Sequence, residues 1–479
     1  MKDNILFCNV ADYIYSQVVN NYHKKIPFDP PEKYPELSFV SQIDGENRIY
    51  PMVRELLQKL DLDKENFGTK DWNPFKEIIK PGDKVLIKPN LVSHYHPAGK
   101  KAVLSTIVHG SVIRPIIDYV YKALQGEGSI IIADNPIESA DWEPLMSSSG
   151  IQGMIDVLCN RGYRVCKVID LRPQLSKEGK NGKFYYSYQL GDPLGYVMVD
   201  LGKDSLFSEL DRNSNIHYYT LADSAVDHID PRYNKESTTD KYHNSSMHKY
   251  LVSKSFLDAD VILNIAKLKT HCKAGVTLTL KNMLGMIYLK SCMPHHRPGL
   301  PPEGDSFPDY PPSYFIESRK IYKVLKEKIY LHKFPGVKLI AGLLHRNKPI
   351  EHGNWKGNDT IWRTILDINR IAVYADRNGV MRNTPQRRFF YLIDGIIGQE
   401  GNAPIGGTPK TCGVLIGGFN PIMVDALACK IMGIDYRIIK TITAGTKIKK
   451  WPLLNKESEF LFPNNNLPNL DFKLPRGWK

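Results

Sequence analysis

Cationic and amide side chains follow an apolar run near the middle of the chain, in the segment LDADVILNIAKLKTHCKAGVTLTLKNMLG at residues 257–285. The apolar run predicts a strand at 261–265, followed by a loop and a short helix. The polar residues that this segment offers for chemistry are Lys267, Lys269, His271, Lys281 and Asn282. Because lysine is seldom buried without a partner, they indicate an anion-binding site or a lysine whose pKa is adjusted for catalysis.

The spacing of these residues predicts how they would act together. If extended chain continues, Lys267, Lys269 and His271 point to one side, because side chains alternate along a strand. They would then hold a carboxylate or phosphate, with His271 as acid or base. Lys281 would be a second base or a covalent amine. In the alternative interpretation, the lysines extend to solvent and His271 is a core histidine with satisfied hydrogen bonds.

The surrounding elements predict an α/β fold. Apolar runs predict strands at 84–88, 129–133, 164–170, 261–265, 337–341, 389–393 and 414–416. A helix at 111–124 lies between the first two strands, and such a unit is right-handed with parallel strands. We therefore expect a mostly parallel sheet with helices on both faces.

Polar residues come at the ends of these predicted strands. Asn90, Asp134 and Asp394 each follow a strand, and ligands of parallel sheets bind at the carboxyl ends. We therefore expect them to meet the lysines and His271 at one edge of the sheet. There Asn90 would contact the substrate, and Asp134 and Asp394 would orient the lysines or bind a divalent metal.

Composition along the chain predicts three parts. They are an N-terminal extension or cap at 1–80, the α/β domain at 81–435, and a basic C-terminal tail at 436–479. Insertions in the α/β domain are expected at about 177–245 and 286–335.

A glycine-rich segment, GQEGNAPIGGTPK at 398–410, offers backbone N–H groups that could hold an anion. Asn402 would be a substrate contact in this loop. Glu400, with Asp394, is a candidate acid or metal ligand. A plain loop is the alternative interpretation.

Residues 352–363, HGNWKGNDTIWR, combine ring surface with hydrogen-bonding groups. Trp355, Asn358 and Arg363 suit a sugar, a base or another ring system, and the alternative is a structural turn before a helix. The adjacent His295 and His296 lie in a proline-rich loop, where solvent exposure is favoured over a metal or phosphate contact.

The composition excludes several classes of protein. The chain has 479 residues, of which 42% are hydrophobic and 24% charged, as in soluble globular proteins. We find no apolar run of ~20 residues and no secretory signal, so we expect no membrane insertion and a cytoplasmic location. The seven cysteines form no C-x-x-C pair, which argues against a zinc ribbon or a local iron–sulfur cluster.

The net charge of +13 allows nucleic acid, anionic lipid or anionic metabolites as partners. Basic runs at 319–333 and 437–450 carry part of this charge. A solvated basic face is the favoured interpretation of each run. The sequence indicates no particular oligomeric state.

Several motifs resemble the family known as domain of unknown function 362 (DUF362). In the order of that family they are VLIKPNL at 85–91, AD-x-P at 133–136, the segment at 258–285, DGIIGQEGNAPIGG at 394–407 and GFNPIMVDALACKIMG at 418–433. Ala266 stands where the family often has proline. Some family members carry a ferredoxin-like iron–sulfur module, whose cysteine clusters this chain lacks.

A second similarity is to nickel-pincer lactate racemases, which have a pattern like H-x-x-A-G-[FV]-[ST]-x-x-x-K. Residues 271–281 match it from His271 to Lys281. A further racemase histidine motif would fall at 134–136, where this chain has Asp-Asn-Pro. That departure argues against racemase activity and the use of nickel.

These observations predict an enzyme that uses lysine and histidine chemistry on a small anionic metabolite or an activated sugar. A first alternative is a non-catalytic binder of nucleic acid or an anionic surface. A second is an electron-transfer protein like the cluster-bearing relatives.

Overall fold

The computed structural model describes most of the chain. The described residues are 21–163, 165–178, 184–210, 239–288, 293–297, 301, 304–305, 353–454 and 467–479, with the backbone of 13–15. The basic run at 319–333 and the strand predicted at 337–341 lie outside these residues.

A mixed, mostly parallel sheet forms the centre of the molecule. Its strands are β1 (Tyr13–Tyr15), β2 (Lys84–Pro89), β3 (Ser129–Asp134), β4 (Val165–Asp170), β10 (Val261–His271), β11 (Gly275–Val276), β12 (Arg388–Glu400) and β13 (Thr408–Gly418). The strand order is β1-β13-β12-β10-β2-β3-β4, with β11 paired to β10. The pairs from β12 through β10, β2 and β3 to β4 are parallel, and β13 is antiparallel to both β1 and β12. The predicted α/β fold is confirmed.

Helices pack on both faces of this sheet. They are α1 (Ile49–Lys59), α2 (Gly110–Leu124), α3 (Trp142–Ser149), α4 (Ile151–Asn160), α5 (Lys254–Asp258), α6 (Thr279–Asn282), α7 (Ile361–Tyr374), α8 (Pro421–Met432) and α9 (Lys440–Gly445). Along β10, Leu263 and Ile265 join the core that contains α1 and α2, whereas Ile262 and Leu268 join the core that contains α7 and α8. Burial on both sides explains why this strand is apolar at consecutive positions.

Local sequence signals fix the ends of α8. The side chain of Asn420 accepts hydrogen bonds from the backbone N–H groups of Ile422 and Met423, and Pro421 takes the first helical position. Gly433 ends the helix in the left-handed region, at φ 76°. A side-chain cap of this kind contributes ~1 kcal/mol to stability.

In the part of the chain that the structure describes, two small antiparallel sheets lie beside the central one. One pairs β5 (Gln174–Glu178) with β6 (Phe184–Tyr188), and the other has the order β7 (Tyr196–Asp200), β9 (Met247–Ser253), β8 (His243–Asn244). The Ser176 backbone N–H donates to the Glu138 carbonyl at 3.0 Å, which joins the β5–β6 hairpin to the loop after β3.

The strand register brings the carboxyl ends together. Ile265 of β10 lies beside Pro89 of β2, and Lys267 lies beside Asp394 of β12. Polar residues that are far apart in sequence therefore meet at one edge of the sheet. In the part of the chain that the structure describes, no helix is long and apolar enough to cross a bilayer.

Candidate functional site

A cavity of about 300 Å³ opens at the carboxyl ends of β2, β3 and β10. Five residues predicted from the sequence line it: Asn90, Asp134, His271, Lys281 and Asn282. Lys88, Thr277 and Gly285 also line it. Its size is near the lower end of the ~300–1,000 Å³ common for ligand cavities, which suits a small metabolite.

Asn282 joins the ends of two strands in the floor of this cavity. Its Oδ1 accepts hydrogen bonds from Asn90 Nδ2 at 2.9 Å and from Lys88 Nζ at 3.1 Å. Its Nδ2 donates to Asn264 Oδ1 at 2.7 Å, and Asn264 Nδ2 donates to the Thr279 carbonyl at 2.9 Å. The oxygen and the nitrogen of each of these asparagine side chains have hydrogen-bond partners, so the network fixes α6 against β2 and β10.

Lys88 and Asp134 form a buried ion pair in the cavity wall, with Nζ and Oδ1 at 2.5 Å. The carboxylate also accepts from the backbone N–H groups of Leu91 and Asn135, at 2.7 and 2.8 Å. A Cβ at Gly285 would overlap Asp134 Oδ1 and lie 2.7 Å from Lys88 Nζ. Only glycine therefore lets this backbone pass beside the pair.

Lys269 is fully buried directly behind the cavity. Its ammonium donates to Asn90 Oδ1 at 2.7 Å and to the Thr106 carbonyl at 2.8 Å. Within the described residues, no carboxylate lies at ion-pair distance from it. Burial lowers its pKa well below the usual range, and repulsion from Lys281 lowers it further.

Lys281 presents its amine to the cavity from α6. The Asp425 carboxylate accepts from Thr279 N–H at 2.8 Å, from the Thr279 hydroxyl at 2.6 Å and from Leu280 N–H at 3.0 Å, which holds the start of this helix. The Lys281 amine has no hydrogen bond or ion pair with any residue that the structure describes. Burial, with repulsion from Lys273, lowers the pKa of Lys281 to about 8.

His271 is held in one tautomer. Its Nδ1 accepts hydrogen bonds from the backbone N–H groups of Lys273 and Ala274, at 3.1 and 3.2 Å. A neutral ring that accepts at Nδ1 carries its proton on Nε2. Burial, and then repulsion from Lys281, lowers the pKa of His271 well below its usual value. This geometry favours a permanently neutral hydrogen-bond donor over the acid or base expected from the sequence.

Lys267 and Asp394 lie at the same sheet edge but not in the cavity wall. Lys267 Nζ pairs with Asp394 Oδ2 at 3.1 Å and also contacts the Tyr22 hydroxyl. Tyr22 donates to Asp394 Oδ1 at 2.8 Å and stacks on His109 with ring centroids 4.6 Å apart. Both charges are fully buried and have partners, so this cluster fixes the N-terminal segment to the sheet. The structure does not place Lys267 where it could share an anion with His271.

Three predicted ring-binding residues lie elsewhere, at the start of α7. The Trp355 indole N–H donates to a backbone carbonyl at 2.7 Å, and Asn358 Oδ1 accepts from Ile361 N–H at 3.0 Å. Arg363 pairs with Glu209 at 2.8 Å. None of these three side chains lines the cavity. Their contacts match the structural-turn alternative.

The glycine-rich loop contributes one residue, Pro404, to the cavity wall. Asn402 is exposed, and its Oδ1 accepts from Arg476 N–H at 2.9 Å. Glu400 pairs with Lys410 at 3.0 Å. Among the described residues, no group of three or more histidine, cysteine, aspartate or glutamate side chains could hold a metal ion. Metal binding by Asp394 and Glu400 stays a prediction.

His295 and His296 are buried, so the expectation of solvent exposure is wrong. Their loop packs against α7: the His295 carbonyl accepts from Asn358 Nδ2 at 2.9 Å, and the Thr364 hydroxyl donates to the Pro294 carbonyl at 2.7 Å. His295 lines the cavity as a second imidazole.

Sequence reasoning missed four residues that shape the site. Lys88 was visible as a charge within an apolar strand, and Asp425 as an acid within the apolar helix α8. Tyr22 and Gly285 gave no local signal, because their partners are distant in the chain. Lys88, Tyr22 and Gly285 lie directly against predicted residues, whereas Asp425 acts on Lys281 only through the start of α6.

Comparison with known proteins supports one of the two resemblances. Residues 212–430 match the model of the family described as Domain of unknown function (DUF362). The resemblance to DUF362 is confirmed. This DUF362 region (212–430) supplies His271, Lys281 and Asn282 to the cavity, whereas β2 and β3, which carry two of the recognised motifs, precede it. The similarity to nickel-pincer lactate racemases stays a prediction.

The chain is also similar in sequence to the Thylakoid-associated protein sll1697 of Synechocystis sp.. It is 22% identical to this chain over 236 residues, which cover 47% of this chain and 52% of that protein. The chain thus spans about half the length of this curated relative.

Proposed function

We propose that this DUF362 protein is an enzyme that removes a proton from carbon in a small anionic metabolite. The observation that carries the proposal is Lys281, an amine in the cavity whose pKa is lowered to about 8 and which has no partner among the described side chains. Lysines with a lowered pKa in a cavity are candidate general bases.

The charges around the cavity favour an anion. Lys88 is balanced by Asp134, and Lys267 by Asp394. Lys269 and Lys281 have no carboxylate at ion-pair distance within the described part of the chain. A bound carboxylate or phosphate would supply a negative charge beside these two amines and offset the cost of burying Lys269.

In the proposed step, the neutral amine of Lys281 takes a proton from the carbon beside a carbonyl or carboxyl group. The C–H bond breaks, its electron pair forms an enolate, and the oxygen of that enolate accepts a hydrogen bond from His271 Nε2–H. A neutral imidazole suits this role, because the proton stays on the enzyme. The ammonium of Lys281 then returns a proton to the same carbon or to a neighbouring atom.

Deuterium incorporation tests this proposal without knowledge of the product. A panel of small carboxylates and phosphates is first screened by thermal shift, since a ligand of the native state raises Tm. Each hit is then incubated with enzyme in D2O, and deuterium at carbon is measured by NMR. We expect exchange with wild type and with Lys100→Met, an exposed lysine, and none with Lys281→Met. Binding without any exchange by the wild-type protein would contradict the proposed step.

We propose a cytoplasmic location for this enzyme. The finding that supports it is that no described helix could cross a bilayer. The name of the Synechocystis relative raises the alternative of a membrane-associated protein. Cell fractionation decides between them: the protein should appear in the supernatant, and recovery with washed membranes would contradict this location.

A further inference from the structure

We infer that the cavity holds a ligand in which an anionic group is attached to a hydroxylated ring. This inference rests on the proposal that the cavity is a substrate site, and it specifies the class of substrate. Two parts of the wall carry it: a donor part around Thr277, and a neutral or acidic part formed by the β5–β6 hairpin and the loop after β3.

Thr277 marks the first part. Its side chain is 2% exposed, lines the cavity, and its Oγ1 has no hydrogen-bond partner among the residues that the structure describes. Its backbone N–H donates to the Lys269 carbonyl at 2.8 Å, so its position is fixed. A buried hydroxyl without a partner is costly, and a ligand oxygen would satisfy it.

The donors that share this part of the wall suit an oxyanion. Thr277 precedes the short helix α6 that carries Lys281, both line the cavity, and His271 offers Nε2–H there. A hydroxyl, the N–H groups of an amine and an imidazole N–H together offer the donors that a carboxylate or a phosphate requires.

The second part of the wall has a different chemistry. Glu138, Ser139 and Ser176 line it, and the Ser176 N–H bond to the Glu138 carbonyl ties the hairpin to the loop. Serine hydroxyls and a carboxylate are partners for neutral hydroxyl groups, and no cation lines this part of the wall among the described residues. The ligand should therefore carry its charge at one end only.

An aromatic side chain lies next to this second part but does not line the cavity. Tyr186 lies directly opposite Ser176 in the β5–β6 pair, and side chains of opposed residues lie on one face. Tyr186 is 51% exposed, so its ring offers a stacking surface for an apolar ring face. Ser187 pairs with Leu175, and Tyr185 pairs with Lys177, on the other face of the same hairpin. They are matched controls.

Isothermal titration with defined probes tests the inference. The ring anions are ribose 5-phosphate and glucuronate, the matching head groups are inorganic phosphate and acetate, and the uncharged ring is ribose. We expect one ring anion to bind wild type at least ~10-fold more tightly than its head group or ribose. Which of the two ring anions binds distinguishes a phosphate ligand from a carboxylate ligand.

Substitutions then separate the two parts. Thr277→Val should weaken the binding of the ring anion and of its head group by about 10-fold. Thr277→Ser keeps the hydroxyl and should bind both as tightly as wild type. Ser176→Ala and Tyr186→Ala should weaken the binding of the ring anion but not of its head group. The control variants Ser187→Ala and Tyr185→Ala should leave both affinities unchanged. Circular dichroism and Tm of each variant establish that it folds.

The inference is overturned if both head groups bind as tightly as the ring anions, if no probe binds, or if Ser187→Ala weakens binding as much as Ser176→Ala. Failure of the proposed function is distinguishable. In that case ring anions bind with the expected pattern, but no deuterium enters them in D2O.

Discussion

Four lysines near the cavity solve the problem of burial in different ways. Lys88 and Lys267 each pair with an aspartate, and Lys269 is held by neutral oxygens. Lys281 has no partner within the described structure, and burial together with repulsion from Lys273 lowers its pKa to about 8. The same residue type thus serves structure in the first two cases and is available for chemistry in the last.

The neutral state of His271 is a testable property of one residue. Because its Nδ1 accepts two backbone hydrogen bonds, we expect the Nε2–H tautomer and no titration at the usual histidine pKa. Two-bond ¹H–¹⁵N correlation NMR of the imidazole nitrogens distinguishes the tautomers. Titration near the usual histidine pKa, or a proton on Nδ1, would remove its role as a fixed donor.

The pKa of Lys281 predicts how the reaction depends on pH. A general base must be unprotonated, and the folded-state pKa is lowered to about 8. The rate of deuterium exchange should therefore rise about 10-fold per pH unit below that value and level off above it. A rate that falls with rising pH over this range would show that the ammonium, not the amine, is the active form.

At the scale of elements, the short helix α6 depends on tertiary contacts. A helix of four residues has little stability of its own, since nucleation is unfavourable. Asp425 holds its first turn, and Asn282 fixes its end to β2 and β10. Lys281 is thereby placed by contacts with two distant parts of the chain.

Gly285 tests this packing at the turn that follows α6. Gly285→Ala would drive a methyl group into the Lys88–Asp134 pair, whereas Gly45→Ala meets no atom within 4 Å. We expect the first variant to lose about 1–3 kcal/mol of unfolding free energy, and the second to change little. Urea denaturation followed by circular dichroism measures both. Equal stabilities would show that the backbone moves away from the pair without cost.

At the scale of the whole molecule, the sequence predicted the sheet and the edge where the cavity lies. Apolar runs mark strands buried on both faces, and their polar end residues converge because the strands are parallel. The sequence predicted that Asp394 would orient a lysine, but the contact of Tyr22 with Lys267 was not predictable, since the two lie 245 positions apart. Side-chain alternation placed Lys267 and His271 on one side, but only packing shows which of them reaches the cavity.

The distribution of charge bears on the nucleic-acid alternative. In the basic run at 437–450, Arg437 pairs with Asp435, Lys440 with Asp359, and Lys450 with Asp204. These pairs reduce the positive potential of that surface. We therefore expect duplex DNA to bind with a Kd weaker than about 1 μM at physiological salt, as measured by fluorescence anisotropy. Tighter binding with a steep salt dependence would support the alternative.

The most direct test of the account is the reactivity of Lys281 towards an anionic amine reagent, trinitrobenzenesulfonate, followed by peptide mass spectrometry across a pH series. Only the neutral amine reacts, so Lys281 should be labelled faster than exposed lysines such as Lys100 at neutral pH, with a midpoint near its pKa of about 8. An anion that binds the cavity should protect Lys281 and leave Lys100 unchanged. If Lys281 reacts no faster than Lys100, or only at the pH of ordinary lysines, it is not the base that the proposed enzyme requires.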